Sequence, residues 1–132
     1  MSPTRAAGLV IFRHSNQLIQ FLLLQTSYGH VDPGESDWDT ALRETQEEAG
    51  FTQKDLEIDK NIKKTLSYEV NGKPKDVIYW LAKLINPETP VKLSDEHQDF
   101  KWLPLQEAQE LSGYDDMKIM LSEFFDVASK DI

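Results

Sequence analysis

From Asp37 to Gly50 the chain reads DWDTALRETQEEAG, which is the pattern of a helix with two unlike faces. Trp38, Ala41, Leu42, Thr45 and Ala49 recur at helical spacing as an inward stripe. Glu44, Glu47 and Glu48 sit at offsets of zero, three and four and share another face. Ser36 or Asp37 caps the start, and Gly50 is the expected helix-ending glycine. A helix of this kind needs a layer to pack on, yet its carboxylates stand in the wrong place electrostatically. The C-terminal end of a helix already carries partial negative charge, and like charges at this spacing repel. Residues 29–50 hold seven acidic side chains (Asp32, Glu35, Asp37, Asp39, Glu44, Glu47, Glu48) against Arg43 as the one arginine or lysine. Most acidic helix runs are simply solvated faces. A patch this dense calls for a cation, and a hard divalent ion with oxygen ligands suits it.

The layer is legible on either side of this helix. Ala6–Phe12 and Leu18–Gln25 are short, apolar and separated by the polar Arg13–Gln17, so paired strands buried on both faces are expected. Asp32-Pro33-Gly34 marks a turn. Leu66–Val70 and Val77–Leu84 flank Asn71-Gly72, a strong hairpin signal, and a short strand follows around Phe100–Leu103. Leu105–Leu111 and Asp115–Ala128 read as helices, the second with Met117, Met120, Leu121, Phe124 and Phe125 as core. Helices distributed among such strands imply a layered α/β/α domain with a mixed sheet, and 132 residues make one domain, 1–132.

Composition removes several classes of function. The chain has no cysteine, so disulfides, thiolate zinc sites and thiol redox chemistry are excluded. A net charge of −9 without a basic stripe argues against a long nucleic acid as partner. A small phosphorylated ligand stays allowed, because bound metal would reverse the local field. No apolar run approaches a membrane span, and the start MSPTRAAG has neither a signal core nor an Arg-rich transit pattern. A cytoplasmic monomer with no membrane partner is therefore expected.

Counted from Gly29, the chain gives glycine, five residues, Glu35, seven residues, Arg43-Glu44, Thr45, Gln46, Glu47-Glu48, Ala49, Gly50 and Phe51. This resembles the Nudix box at every fixed position, with Thr45 at a slot that is normally apolar. The resemblance implies the Nudix fold and metal-dependent hydrolysis of a phosphoanhydride, with magnesium, or manganese in its place. It implies Glu44 and Glu48 as principal metal ligands, Glu47 as an additional one and the Gly29 carbonyl completing the shell. Arg43 would orient Glu35 and the glutamates, since its planar fork holds carboxylates bidentately.

AAGLVIFR, FLLLQ, GHVDPGE, ALRETQEEAGF, NGKPKDVIYWLA and LSDEHQDFKWL extend the likeness along nearly the whole chain. They are similar to the asymmetrical, animal-type diadenosine tetraphosphate hydrolases, which would split that dinucleotide into ATP and AMP. On that template Glu96 supplies a carboxylate from outside the helix, as metal ligand or water-activating base beside Glu47 and Glu48. Tyr68 and Tyr114 would stack on adenine, and Lys75 would reach the phosphates. Each has a plainer reading: a packed strand tyrosine, surface cover at a helix start, a solvated lysine and a loop carboxylate. His30 is expected to shape its loop, and His97 stays ambiguous. The same box also serves enzymes of nucleoside triphosphates, ADP-ribose or triphosphate-ended RNA, and silent nucleotide sensors share the fold. One departure stands out. The relatives carry a Trp-x-x-Pro-Lys segment before the box glycine, whereas here Gln25-Thr26-Ser27-Tyr28 runs straight into Gly29. Either the protein lacks this loop by nature or a mobile loop joins Tyr28 to Gly29, and the second is expected because both flanks follow the pattern.

Overall fold

The computed structural model describes residues 4–24, 28–70, 72–93, 99–112 and 115–130, and the two apolar segments near its start lie at the heart of a mixed sheet. Strand β1 (Thr4–Ser15) and strand β2 (Leu18–Leu24) pair antiparallel. Both faces of β1 are buried: Ala6, Val10 and Phe12 enter one core, and Ala7, Leu9 and Ile11 the other. The turn is shorter than the polar run suggests. Arg13, His14 and Ser15 pair with Gln20, Ile19 and Leu18, which leaves only Asn16 and Gln17 to reverse the chain. Both have positive φ, 51° and 67°, the twist that two-residue hairpins require.

The remaining elements are β3 (Tyr28–His30), α1 (Asp37–Ala49), β4 (Leu56–Val70), β5 (Lys73–Leu84), β6 (Phe100–Pro104), α2 (Leu105–Ser112) and α3 (Asp115–Ser129). The sheet runs β4-β5-β1-β2-β6, with β1 and β5 parallel and β3 added to β1. One side of β1 is therefore shared, with β3 along Ala6–Gly8 and β2 from Phe12 onward. Helix α1 packs on the face that holds Ala7, Leu9, Ile11 and Trp80, while α2 and α3 cover the other. This is the expected α/β/α arrangement. Met120, Leu121 and Phe124 are buried and Met117 and Phe125 pack beside them, so the α3 stripe is core.

Periodicity starts β4 at Leu66, but the structure starts it at Leu56. The added length is a charged edge strand, where one pairing partner suffices and exposed lysines discourage a second. Its register breaks between Ile58 and Lys63. That bulge has a use. The Trp80 indole N–H donates to the Lys60 carbonyl at 3.0 Å, and Trp80 meets Trp38 of α1 edge to face, with centroids 5.2 Å apart. The Lys60 ammonium stands 4.7 Å above the Trp38 ring. An aromatic pair thus fixes α1 to the sheet. Among the described residues, no helix is long and apolar enough to cross a membrane.

Candidate active site

The first turn of α1 is well founded. Ser36 is the N-cap, and its hydroxyl accepts from the Asp39 N–H at 3.1 Å. Asp37 and Asp39 place negative charge at the positive end of the helix. Arg5 of β1 donates to Asp37 at 2.6 Å, which ties this end to the sheet. Just ahead, Glu35 N–H donates to the Asp32 carbonyl at 2.9 Å and closes the Asp-Pro-Gly turn, with Gly34 at φ 81°.

Glu35 is the best-satisfied carboxylate of the region. Its Oε2 accepts Arg43 Nε at 2.8 Å. Its Oε1 accepts Arg43 Nη2 at 3.1 Å, Thr40 Oγ1 at 2.6 Å and the Asp32 N–H at 3.2 Å. Hydrogen bonds from Arg43, then from Thr40, hold its pKa down to about 2. Arg43 extends the network in the other direction. Nη1 donates to Glu44 at 2.7 Å and more weakly to Glu47 at 3.4 Å, while Nη2 reaches the His30 carbonyl at 3.3 Å. The guanidinium pKa is raised, above all by Glu35. One arginine therefore joins β3, the turn and two turns of helix.

The other end of α1 is built in the opposite sense. Gly50 closes the helix at φ 77°, its N–H donates to Gln46 O, and a side chain there would put a Cβ 2.8 Å from Lys92 Cβ. The Lys92 N–H donates to Ala49 O at 2.8 Å. No basic residue occupies the last turn. Glu48, which shares the acidic face with Glu44 by spacing, is only 5% exposed. Burial first, then the charge of Glu44, a hydrogen bond shared with it and the charge of Glu47, push the Glu48 carboxyl up to about 8.

These donors suit a hard divalent cation. They are all oxygens, they sit on adjacent turns, and Glu48 lies buried beside Glu44. They do not make a finished cage. Among the described residues no three acidic or histidine side chains converge on one point, because Glu44 and Glu47 lean toward Arg43.

The other expected site residues are placed by register. Gly29 lies in β3 opposite Ala7, in a pairing run from Ala6↔His30 to Gly8↔Tyr28. The chain passes from Tyr28 to Gly29 without interruption, so the loop expected between them has no place there. Tyr68, Lys75 and Thr4 form one cross-strand row, and Leu66, Val77, Ala6 and His30 form another two residues away. That offset is about 7 Å along the strands, so both rows lie toward the same end of the sheet. Alternation gives Lys75 the face of Val77, which is the α3 side and not the α1 side. On that side a cleft of about 390 Å³ opens between β4 and α3, lined by Leu66, Ser67, Asp116 and Ile119 and bridged by the Lys64–Glu123 ion pair. Glu96, His97 and Tyr114 fall outside the described residues; α3 begins at Asp115.

A NUDIX domain matches residues 2–124. The chain belongs to the Nudix family. A bis(5'-nucleosyl)-tetraphosphatase (asymmetrical) of Caenorhabditis elegans is 50% identical over 91% of this chain and 93% of its own length. The enzyme of the same name from Sus scrofa is 48% identical over 90% and 91%. The crystal structure of a C. elegans Ap4A hydrolase binary complex superposes with a TM-score of 0.90 at 46% identity, covering 96% of this chain and 98% of that one.

Seen as a Nudix box, the soft position is explained by packing: Thr45 is 5% exposed and belongs to the buried side of the helix. A second threonine escaped the sequence reading. Thr40 is fully buried, and its hydroxyl faces Glu35 rather than the apolar core. Its position five residues after a box glutamate and three before the arginine is a signal only once helical geometry is drawn.

Proposed function

We propose that this Nudix protein hydrolyses diadenosine tetraphosphate asymmetrically, to ATP and AMP, with magnesium as its metal and manganese able to replace it. The observation that carries the reading is the Glu44–Glu48 pair at the C-terminal end of α1, with Glu48 buried and Glu44 half-buried beside it. Identity near one half over nine tenths of both chains, to proteins named for this cleavage, supports the substrate.

In this reading Glu44 and Glu48 are the principal metal ligands, Glu47 an additional one, and the Gly29 carbonyl a further donor. When bound, divalent ions neutralise phosphate oxygens and lower the pKa of water. Arg43, gripped by Glu35, keeps Glu44 at the mouth of the site. Glu96 brings a carboxylate from another direction, and it or a box glutamate takes the proton of the attacking water. The water oxygen bonds to a bridge phosphorus, the P–O bond to the leaving phosphate breaks, and ATP and AMP separate. Tyr68 and Tyr114 stack on adenine, and Lys75 meets phosphate. The β4–α3 cleft and α1 lie on opposite faces of the sheet. A two-headed nucleotide can bind remotely by one adenosine while its bridge turns the sheet end toward the metal. Such remote binding is realised in KM more than in kcat.

Chromatography of products from a panel of dinucleoside polyphosphates, nucleoside triphosphates and ADP-ribose, each with magnesium, tests the proposal. ATP and AMP in equal amounts from diadenosine tetraphosphate, as the preferred substrate, are expected. Preference for a mononucleotide or ADP-ribose, or no turnover at all, would overturn it.

A further inference from the structure

Thr40 lies outside every fixed position of the box, yet it is fully buried on the catalytic helix and aimed at a box glutamate. A buried threonine in a helix ordinarily bonds back to the carbonyl four residues earlier, and the Ser36 carbonyl is 3.0 Å from Oγ1. The Glu35 carboxylate is closer, at 2.6 Å. A hydroxyl has one proton to give. The shorter distance is that of a charge-assisted bond, and the acceptor is charged, so the proton goes to Glu35.

The consequence runs along a chain of contacts. Thr40 fixes Glu35 Oε1, and the Glu35 carboxylate takes two parallel bonds from Arg43. The third arm of Arg43 holds Glu44 at 2.7 Å. Rotation of the Glu35 carboxylate about its last bond would spoil the paired bonds and free the guanidinium to swing. Arg43 would then move further onto Glu44 and Glu47, which its Nη1 already meets at 2.7 and 3.4 Å. The three donors to Oε1 come from a backbone N–H, an arginine that itself needs orienting, and Thr40. Of these, Thr40 is the short side-chain donor anchored in the rigid helix.

We propose that Thr40 is a positioning residue for metal binding: its hydroxyl locks Glu35, so that Arg43 holds Glu44 in place for the divalent ion without capturing it. This rests on the metal site proposed above, but not on the identity of the substrate.

Manganese binding, followed without substrate by the loss of the free-ion spin-resonance signal, is the direct test. Thr40→Val removes the hydroxyl at nearly constant shape. It should weaken binding by about ten- to a hundredfold, the usual effect of losing a partner behind a metal ligand. Thr40→Ser should bind within about threefold of the parent, because a loss confined to packing does not depend on the hydroxyl. If valine does not fold, Thr40→Ala against Thr40→Ser isolates the hydroxyl, since both lack the methyl group. In turnover assays the magnesium needed for half activation should rise in the valine or alanine variant while substrate KM at saturating metal stays put. Equal manganese affinity in the hydroxyl-free variants and the parent would overturn the proposal, and so would a serine variant as weak as alanine. A parent that binds manganese normally but leaves diadenosine tetraphosphate intact sinks the substrate assignment alone.

Discussion

Glu35 and Glu48 are the same side chain at the two ends of one helix, and their surroundings drive them in opposite directions. Glu35 collects four hydrogen bonds and is held as a carboxylate down to about pH 2. Glu48 is buried next to Glu44 and Glu47, with its carboxyl pushed up to about 8. The first end is complete within the protein, capped by Ser36 and tied to β1 through Arg5. The second is left with surplus negative charge against the helix dipole. A chain selected only for stability has no reason to keep that second arrangement, whereas a cation site must have something of the kind. In the proposed function, the contrast separates the carboxylate that organises the site from those that would hold the ion.

The largest expected effect comes from Glu48→Gln. The replacement is close to isosteric, but it removes a charged ligand, and several kcal/mol of charge stabilisation correspond to a loss of about a thousandfold in kcat. Steady-state rates at saturating magnesium check this, and a mutant that turns over like the parent erases the functional half of the contrast. Glu35→Gln should cost less, about ten- to a hundredfold, because it acts through Arg43 and not at the ion. Its signature is a higher metal requirement. A loss as deep as that of Glu48→Gln would mean that Glu35 reaches the reaction itself.

A subtler test needs no metal. Glu48 has a folded pKa above its unfolded value near 4.5, so its contribution to stability is full below about pH 4.5 and lost as pH rises toward 8. Glu35 has a depressed one, so its contribution is full above about pH 4.5 and lost as pH falls toward 2. In chelator, Glu48→Gln should therefore melt several degrees above the parent at pH 8 and close to it at pH 4. Glu35→Gln should melt below the parent at pH 7 and converge with it in acid. Parallel melting curves across this range would show that neither carboxyl is perturbed by the fold.

Much of this was legible beforehand because local chemistry and global packing agree along α1. The capping Ser36, the apolar stripe and Gly50 bracket the helix, and the structure ends it at Ala49. The β4–β5 hairpin and the α3 core announced themselves through a turn signal and helical spacing in the same way. What escaped depends on neighbours distant in sequence. Residues 56–65 are a strand because β5 offers an open edge, not because their own pattern demands it. Tyr28–His30 is too short to have a period, and it exists because β1 diverges from β2. Glu48 shares its helical face with Glu44 by spacing alone, but its burial depends on how α1 sits against the sheet, where Trp38 meets Trp80. Thr40 reads as filler until Glu35 is seen folding back over the first turn.

The C-terminal turn of α1 has the donor set of a cation site, with Glu48 buried beside Glu44 and no basic residue in the last turn. Proton-linked calorimetry measures this most directly: manganese is titrated at pH 7 into the parent and Glu48→Gln, in buffers of different ionisation enthalpy. With its carboxyl near 8, Glu48 is mostly protonated before the ion arrives and must give the proton up to become a ligand. The parent should release about one proton per ion bound, and the glutamine variant should bind weakly and release almost none. Tight binding to the parent without proton release, or the same release from Glu48→Gln, would contradict it.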